Sequence, residues 1–165
     1  MTQWDGFQAE RRDLIDHVHR NGVDDVMVIS GDAHFWTTSE IPLDWDDPAS
    51  PYVLTEFGGS SITSANAGEQ ADLPGNDLIR PVVSAANPLH LRYIEVTTHG
   101  YGLIELTPSG ASVSYRSPAT ITEPTSTTAV LARFEVDRGT ARVRLVEGEG
   151  FLPRTEPAAP PTEAP

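Results

Sequence analysis

Val26-Met27-Val28-Ile29-Ser30, followed by Gly31-Asp32-Ala33-His34-Phe35-Trp36, is the stretch on which the fold turns. A short unbroken apolar run that meets a Gly-Asp pair reads as a strand buried on both faces. Upstream of it, residues 7–21 read as one amphipathic helix, because Phe7, Leu14, Ile15 and Val18 fall on a single stripe at the helical period. Glu10, Arg11, Arg12, Asp13, Asp16 and Arg20 supply its wet face. Asp5 suits the N-cap, and Gly22 stands where a left-handed residue ends a helix. Helix, short turn, buried strand and polar loop is the order of an α/β layer, in which ligands bind at the carboxyl end of the strand.

Downstream the texture changes. Residues 42–51 hold three Pro and three Asp within a loop-like segment that includes Trp45. Tyr52-Val53-Leu54-Thr55-Glu56-Phe57 is a second strand. It runs into Gly58-Gly59-Ser60-Ser61-Ile62-Thr63-Ser64, whose small side chains let the backbone approach a neighbour closely. Residues 65–81 read as loop with at most a short helix. Strands follow at 91–97, 101–107, 111–116, 129–136 and 141–147, with Thr107-Pro108-Ser109-Gly110 and Asp137-Arg138-Gly139-Thr140 as hairpin turns. The expected domain is residues 1–150, and the Pro/Ala-rich segment 151–165 is expected to be a disordered tail. One helix and one buried strand followed by a β meander is an α+β pattern. A strand buried on both faces needs a neighbour on each side, and the first 40 residues offer none. The expectation is therefore the C-terminal portion of a longer layered domain.

Composition narrows the function. The 165 residues carry 24 Asp plus Glu against 11 basic residues, all Arg, for a formal net charge of −13. Phosphate backbones and anionic membrane surfaces need clustered basic side chains, so neither nucleic acid nor such a surface is an expected partner. A negative protein still binds a phosphate ester where metal ions reverse the local sign. No stretch approaches the ~20 apolar residues of a membrane span. The chain has no Cys, so a metal site here is built from oxygen and imidazole.

The chemistry concentrates at Asp32 and His34. A carboxylate and an imidazole two residues apart, on a loop leaving a strand, can turn toward one point, and Zn, Mn, Fe and Ca accept such donors. Gly31 leaves that point uncrowded. The same letters also spell a tight turn in which Asp32 caps the next element. Trp36 and Tyr101 are candidates for a substrate mouth, with aromatic packing as the alternative. His99, before Gly100-Tyr101, is a candidate substrate contact with a structural role as the alternative. His17 and His19 lie two apart on the helix, point to different faces, and read as surface residues.

Four segments carry a family resemblance. Trp4-Asp5-Gly6-Phe7 with Glu10-Arg11 resembles the W-D-G-Y…E-R segment of PhoD-like alkaline phosphatases, and Gly31-Asp32-Ala33-His34 resembles their G-D-x-H motif. Glu56-Phe57-Gly58-Gly59-Ser60-Ser61-Ile62-Thr63-Ser64 is similar to their E-F-x-G-T-S-I-T-S segment. Asn87-Pro88-Leu89-His90, then His99-Gly100-Tyr101, resembles their N-P-H and R/H-G-Y segments, with Leu89 inserted here. The resemblance runs over residues 4–108 in the family's order. It implies the C-terminal portion of a four-layer metallophosphoesterase-like β-sandwich flanked by helices, without its N-terminal half. It also implies hydrolysis of phosphate mono- and diesters with iron and calcium, outside the cytoplasm. Carried onto this sequence, Asp32 becomes a metal ligand, and His34 a second ligand or a catalytic contact to the phosphoryl oxygens.

Metal-assisted hydrolysis of a small-molecule phosphate ester by the complete protein is thus the leading expectation. A non-catalytic β-rich module and an inactive fragment are the alternatives. Substrate, metal identity and oligomeric state are not fixed by the sequence.

Overall fold

The computed structural model describes residues 4–72 and 75–154. Gln8–Arg20 form helix α1, which starts behind Phe7 with no side-chain cap and ends before Gly22 in the left-handed region. Ile15 and Val18 are buried, whereas Phe7 and Leu14 stay half exposed. The apolar stripe is therefore used along only part of its width. Ile15 packs on Ile41 and Leu54, which fixes α1 against the sheet beneath it.

That sheet contains β1 (Met27–Ser30), β2 (Trp36–Pro42), β3 (Tyr52–Gly58) and β4 (Leu91–Glu95) in the order β1-β3-β2-β4. β1 runs parallel to β3, while β2 is antiparallel to both β3 and β4. The first strand departs from expectation. Among the described residues it pairs with β3 alone, and Ile29 is 67% exposed, so it is an edge strand and not one buried on both faces. β2 was not expected at all, although it is the most deeply buried strand of the sheet apart from β4. Two short helices, α2 (Ala67–Ala71) and α3 (Asn76–Ala86), occupy the segment read as loop.

The meander matches its reading closely. β5 (Tyr101–Thr107), β6 (Gly110–Pro118), β7 (Thr128–Asp137) and β8 (Val143–Gly148) form a second, wholly antiparallel sheet in sequence order. Thr107 pairs with Gly110 across the two-residue Pro108-Ser109 turn. The sheets face each other across an aromatic core of Trp36, Phe57, Tyr93, Tyr115 and Phe134. On the opposite face of the first sheet, Ile79 and Val83 of α3 pack on Leu91, Ile94 and Val96. Helices, mixed sheet and antiparallel sheet make three stacked layers of an α+β fold, as dictated by apolar residues on both faces of β2, β3 and β4. Beside β1 the sandwich opens into a cleft of about 490 Å³ lined by Met27, Ile29, Ile104, Leu106 and Val136.

Residues 151–154 depart from the expected tail. Phe151 packs on the aromatic core, Leu152 N–H donates to the Arg92 carbonyl at 2.7 Å, and Arg154 reaches Glu40. Buried apolar contact and a charge partner tie these residues down, so the correction applies to 151–154. Residues 155–165 lie outside the described residues.

Candidate functional site

The loop after β1 holds two non-glycine residues in the left-handed region, Asp32 at φ +70° and His34 at φ +57°. Backbone strain of this kind is retained where surrounding contacts enforce it, and it clusters at ligand sites. Here the contacts can be named. Ala33 N–H closes a tight turn onto the Gly31 carbonyl at 2.8 Å, and Gly59 N–H ties the base of the loop to the Ser30 carbonyl at 2.9 Å. Gly58 packs so closely on β2 that a Cβ there would sit 2.4 Å from Thr37 Oγ1. The small-residue run thus supports the motif loop from one side.

Asp32 is exposed, and among the described residues its carboxylate has no hydrogen-bond or ion-pair partner. The His34 ring is oriented by its own neighbours. Nδ1 lies 2.7 Å from the Ala65 carbonyl oxygen and 3.1 Å from Gln70 Nε2. At 2.7 Å two lone pairs would repel, so Nδ1 carries the ring proton and donates it to Ala65. Nε2 then keeps the lone pair. A histidine whose one nitrogen donates to a carbonyl while the other stays basic is the arrangement of a metal-ligating imidazole. A Cβ built on Gly31 would meet nothing within 4 Å, so approach to this loop is open.

Two donors are not a complete site. Among the described residues no group of three or more His, Cys, Asp or Glu side chains converges to hold an ion. Asp32 and His34 therefore fit a metal centre as part of a ligand set and not as the whole of one.

The other two candidates are buried. Trp36 is 0% exposed, because it opens β2 on the face turned toward the second sheet. It stacks on Tyr115 with ring centroids 4.5 Å apart, and its indole N–H donates to Thr98 Oγ1 at 3.1 Å. His99 is 8% exposed, with Nδ1 3.2 Å from Ser61 Oγ and Nε2 3.3 Å from both Asn66 Nδ2 and Glu69 Oε1. Both are held inside the fold, so neither presents its polar atoms to a ligand here. Tyr101 stays at the surface, 42% exposed at the start of β5. His17 and His19 are exposed on α1.

The sequence reading missed Glu95 and Asn66. Glu95, 2% exposed, accepts from the N–H groups of Thr97 and Thr98, their hydroxyls and Asn76 Nδ2. Burial alone would raise its carboxyl, but these donors outweigh it and hold the group below the usual carboxylate range. Asn66, 0% exposed, N-caps α2 in a reciprocal capping box with Glu69. The Asn66-x-x-Glu69 spacing is the signal that would have revealed α2.

Comparison with known proteins follows the same lines. The sequence profile of the PhoD-like phosphatase family matches residues 1–115. Alkaline phosphatase D of Bacillus subtilis (strain 168) is 27% identical over 146 residues, covering 88% of this chain. A solved structure titled "Structure of PhoD" superposes with a TM-score of 0.76 at 25% identity over 93% of this chain. The chain spans 24% of the first relative's length and 28% of the solved chain.

Proposed function

The chain belongs to the PhoD-like phosphatase family, and on that premise we propose that it contributes the Gly-Asp-x-His loop of a centre that hydrolyses phosphate mono- and diesters. The observation that carries this reading is the strained loop itself, with an Asp32 carboxylate that has no partner among the described residues and a His34 ring turned so that Nε2 keeps its lone pair. Iron and calcium are the proposed ions, since imidazole suits iron and a carboxylate suits calcium. The further donors come from other parts of the complete enzyme. When bound, cations neutralise charge on the phosphoryl oxygens and acidify a coordinated water.

The residues of this chain do the holding. Asp32 offers a carboxylate that has no cation partner among the described residues. His34 offers a lone pair and not a proton, so the ligand role suits it better than a contact to phosphoryl oxygen. Gly31 keeps the approach free. Small-molecule phosphate esters are the proposed substrate class, and an extracellular or periplasmic location is proposed from the same membership. No helix among the described residues is long and apolar enough to cross a membrane.

Asp32→Asn tests the assignment, in protein expressed from the longest reading frame that contains this chain. It replaces the carboxylate by an amide of the same shape. Bound iron and calcium, measured by elemental analysis, and turnover of an aryl phosphate are expected to fall together by at least roughly tenfold. Full metal content with unchanged turnover defeats the assignment.

A second reading rests on a specific observation, the lack of a third ligand beside Asp32 and His34 among the described residues. On that reading the chain is a β-rich module without catalysis of its own. A folded circular dichroism spectrum with no iron or calcium retained and no turnover in the longer protein favours it.

A further inference from the structure

His34 is held twice by one short segment. Its carbonyl accepts from Ala67 N–H at 2.9 Å, and its Nδ1 donates to the Ala65 carbonyl at 2.7 Å. That same carbonyl accepts from the Gln70 side-chain amide at 2.6 Å. Main chain and ring of one residue are thus fixed by residues 65–70, and the oxygen that selects the tautomer is itself fixed.

The segment has its own anchors. Ser61 Oγ donates to the Ser64 carbonyl at 2.6 Å, which leaves its lone pairs facing His99 Nδ1. Asn66 Nδ2 donates to the Thr97 carbonyl at 2.9 Å and lies 3.3 Å from His99 Nε2. Gly68 N–H donates to the Val96 carbonyl at 2.9 Å, an approach so close that a Cβ at Gly68 would lie 2.7 Å from that oxygen. His99 is therefore a buried post between Ser61 and α2, with both ring nitrogens in use.

We propose that the Ser61–Gln70 segment, clamped on His99 and Asn66 and braced by Gln70 on the Ala65 carbonyl, is the positioning device that fixes His34 as its Nδ1–H tautomer. His99 and Gln70 are positioning residues that act through His34 and touch no reacting group. This rests on the reading of His34 as a site residue, but its test needs neither metal nor turnover.

Neutral imidazole carries its proton on either nitrogen, and the partner of one nitrogen decides which. The chain labelled with ¹⁵N-histidine gives a long-range ¹H–¹⁵N correlation spectrum at about pH 8, well above the ordinary range of free imidazole. The His34 signals are assigned by their loss in His34→Gln. In the unaltered chain the expected pattern is a protonated Nδ1 and an unprotonated Nε2, in favour by roughly tenfold. His99→Leu removes both anchors of the post and is expected to bring the two tautomers toward equal population. Gln70→Leu, at an exposed position, removes the donor that shares the Ala65 carbonyl with His34 and is expected to shift the tautomer ratio with circular dichroism unchanged, and it decides the matter if His99→Leu does not fold. A His34 ring protonated on Nε2 in the unaltered chain overturns the proposal. So does an unaltered Nδ1–H pattern in every variant that folds. If the pattern is as expected while Asp32→Asn leaves metal and turnover intact, the functional reading fails and the positioning device stands.

Discussion

Glu40 accepts hydrogen bonds from Arg92 Nε at 2.9 Å, Arg142 Nη1 at 3.2 Å, Arg154 Nη2 at 2.5 Å and Val143 N–H at 2.7 Å. It joins β2 to β4, to β8 and to the segment after β8 through one carboxylate that has no exposed surface. Burial would raise its carboxyl, but the Arg154 and Arg92 guanidiniums and the Val143 amide reverse that and hold it low. Arg92 is equally buried, so removing the charge from Glu40 strands a cation inside the protein. Glu40→Gln is expected to cost about 3 kcal/mol of stability, read from urea unfolding followed by circular dichroism. A loss below about 1 kcal/mol, the worth of a surface pair, overturns this account of the cluster. Nothing in the letters around position 40 signals it, because the partners lie 52, 102 and 114 residues away in sequence. The strained loop that carries Asp32 and His34, by contrast, follows a short motif in which two chemically compatible donors can be read directly. Trp36 and His99, read as substrate contacts, are buried in this chain, and sequence does not say which face of a strand or loop a side chain takes.

The elements divide in the same way. β6 and β7 were readable since each alternates, and the turns at 107–110 and 137–140, which carry Gly, Pro or Asp, mark off β5 and β8. β2 was invisible because Thr37-Thr38-Ser39-Glu40 looks like a surface, yet Thr38 is 0% exposed and meets the Tyr115 hydroxyl at 3.0 Å. Buried polar groups are tolerated when paired, and pairing partners do not show in local pattern. α3 was hidden by Pro81 within it and Gly75 ahead of it. β1 was read as interior from its composition and lies at an edge, which is a statement about neighbours and not about its own residues. The joint between the two sheets gives an element-scale prediction. Gly100 leads into β5, with its N–H on the Ser61 carbonyl at 3.0 Å, and a Cβ there would lie 1.9 Å from the Arg116 carbonyl oxygen. Gly100→Ala must push β5 off β6 or break the Ser61 contact. It is expected to lower stability by at least about 2 kcal/mol, several degrees in thermal midpoint. Gly31→Ala, which meets no atom within 4 Å, is the control and should shift the midpoint little. Equal effects from the two would show that the close approach at Gly100 is not what holds the joint.

At the scale of the molecule, a net charge of −13 and two buried carboxylates pull stability in opposite directions as pH falls. Protonating exposed acids relieves mutual repulsion, which favours the compact state. Glu40 and Glu95 work the other way. Each has a native carboxyl held below its ordinary value of 4.5, so each contributes stability that is complete above that value. As pH drops further, the unfolded chain takes up protons first, and the contribution is lost progressively until the native carboxyls titrate as well. The expected urea midpoint is therefore level or slightly rising from pH 7 to about 5 and falls steeply below about 4.5. Added salt should screen the repulsion and raise the midpoint at pH 7 more than at pH 5. Glu40→Gln removes one of the two depressed groups, so its acid limb should be shallower than that of the parent, even though its midpoint at pH 7 is lower. A parent midpoint that declines already between pH 7 and 6 overturns the assignment of acid unfolding to Glu40 and Glu95. An acid limb equally steep in Glu40→Gln would show that the charge buried between the two sheets does not govern acid unfolding.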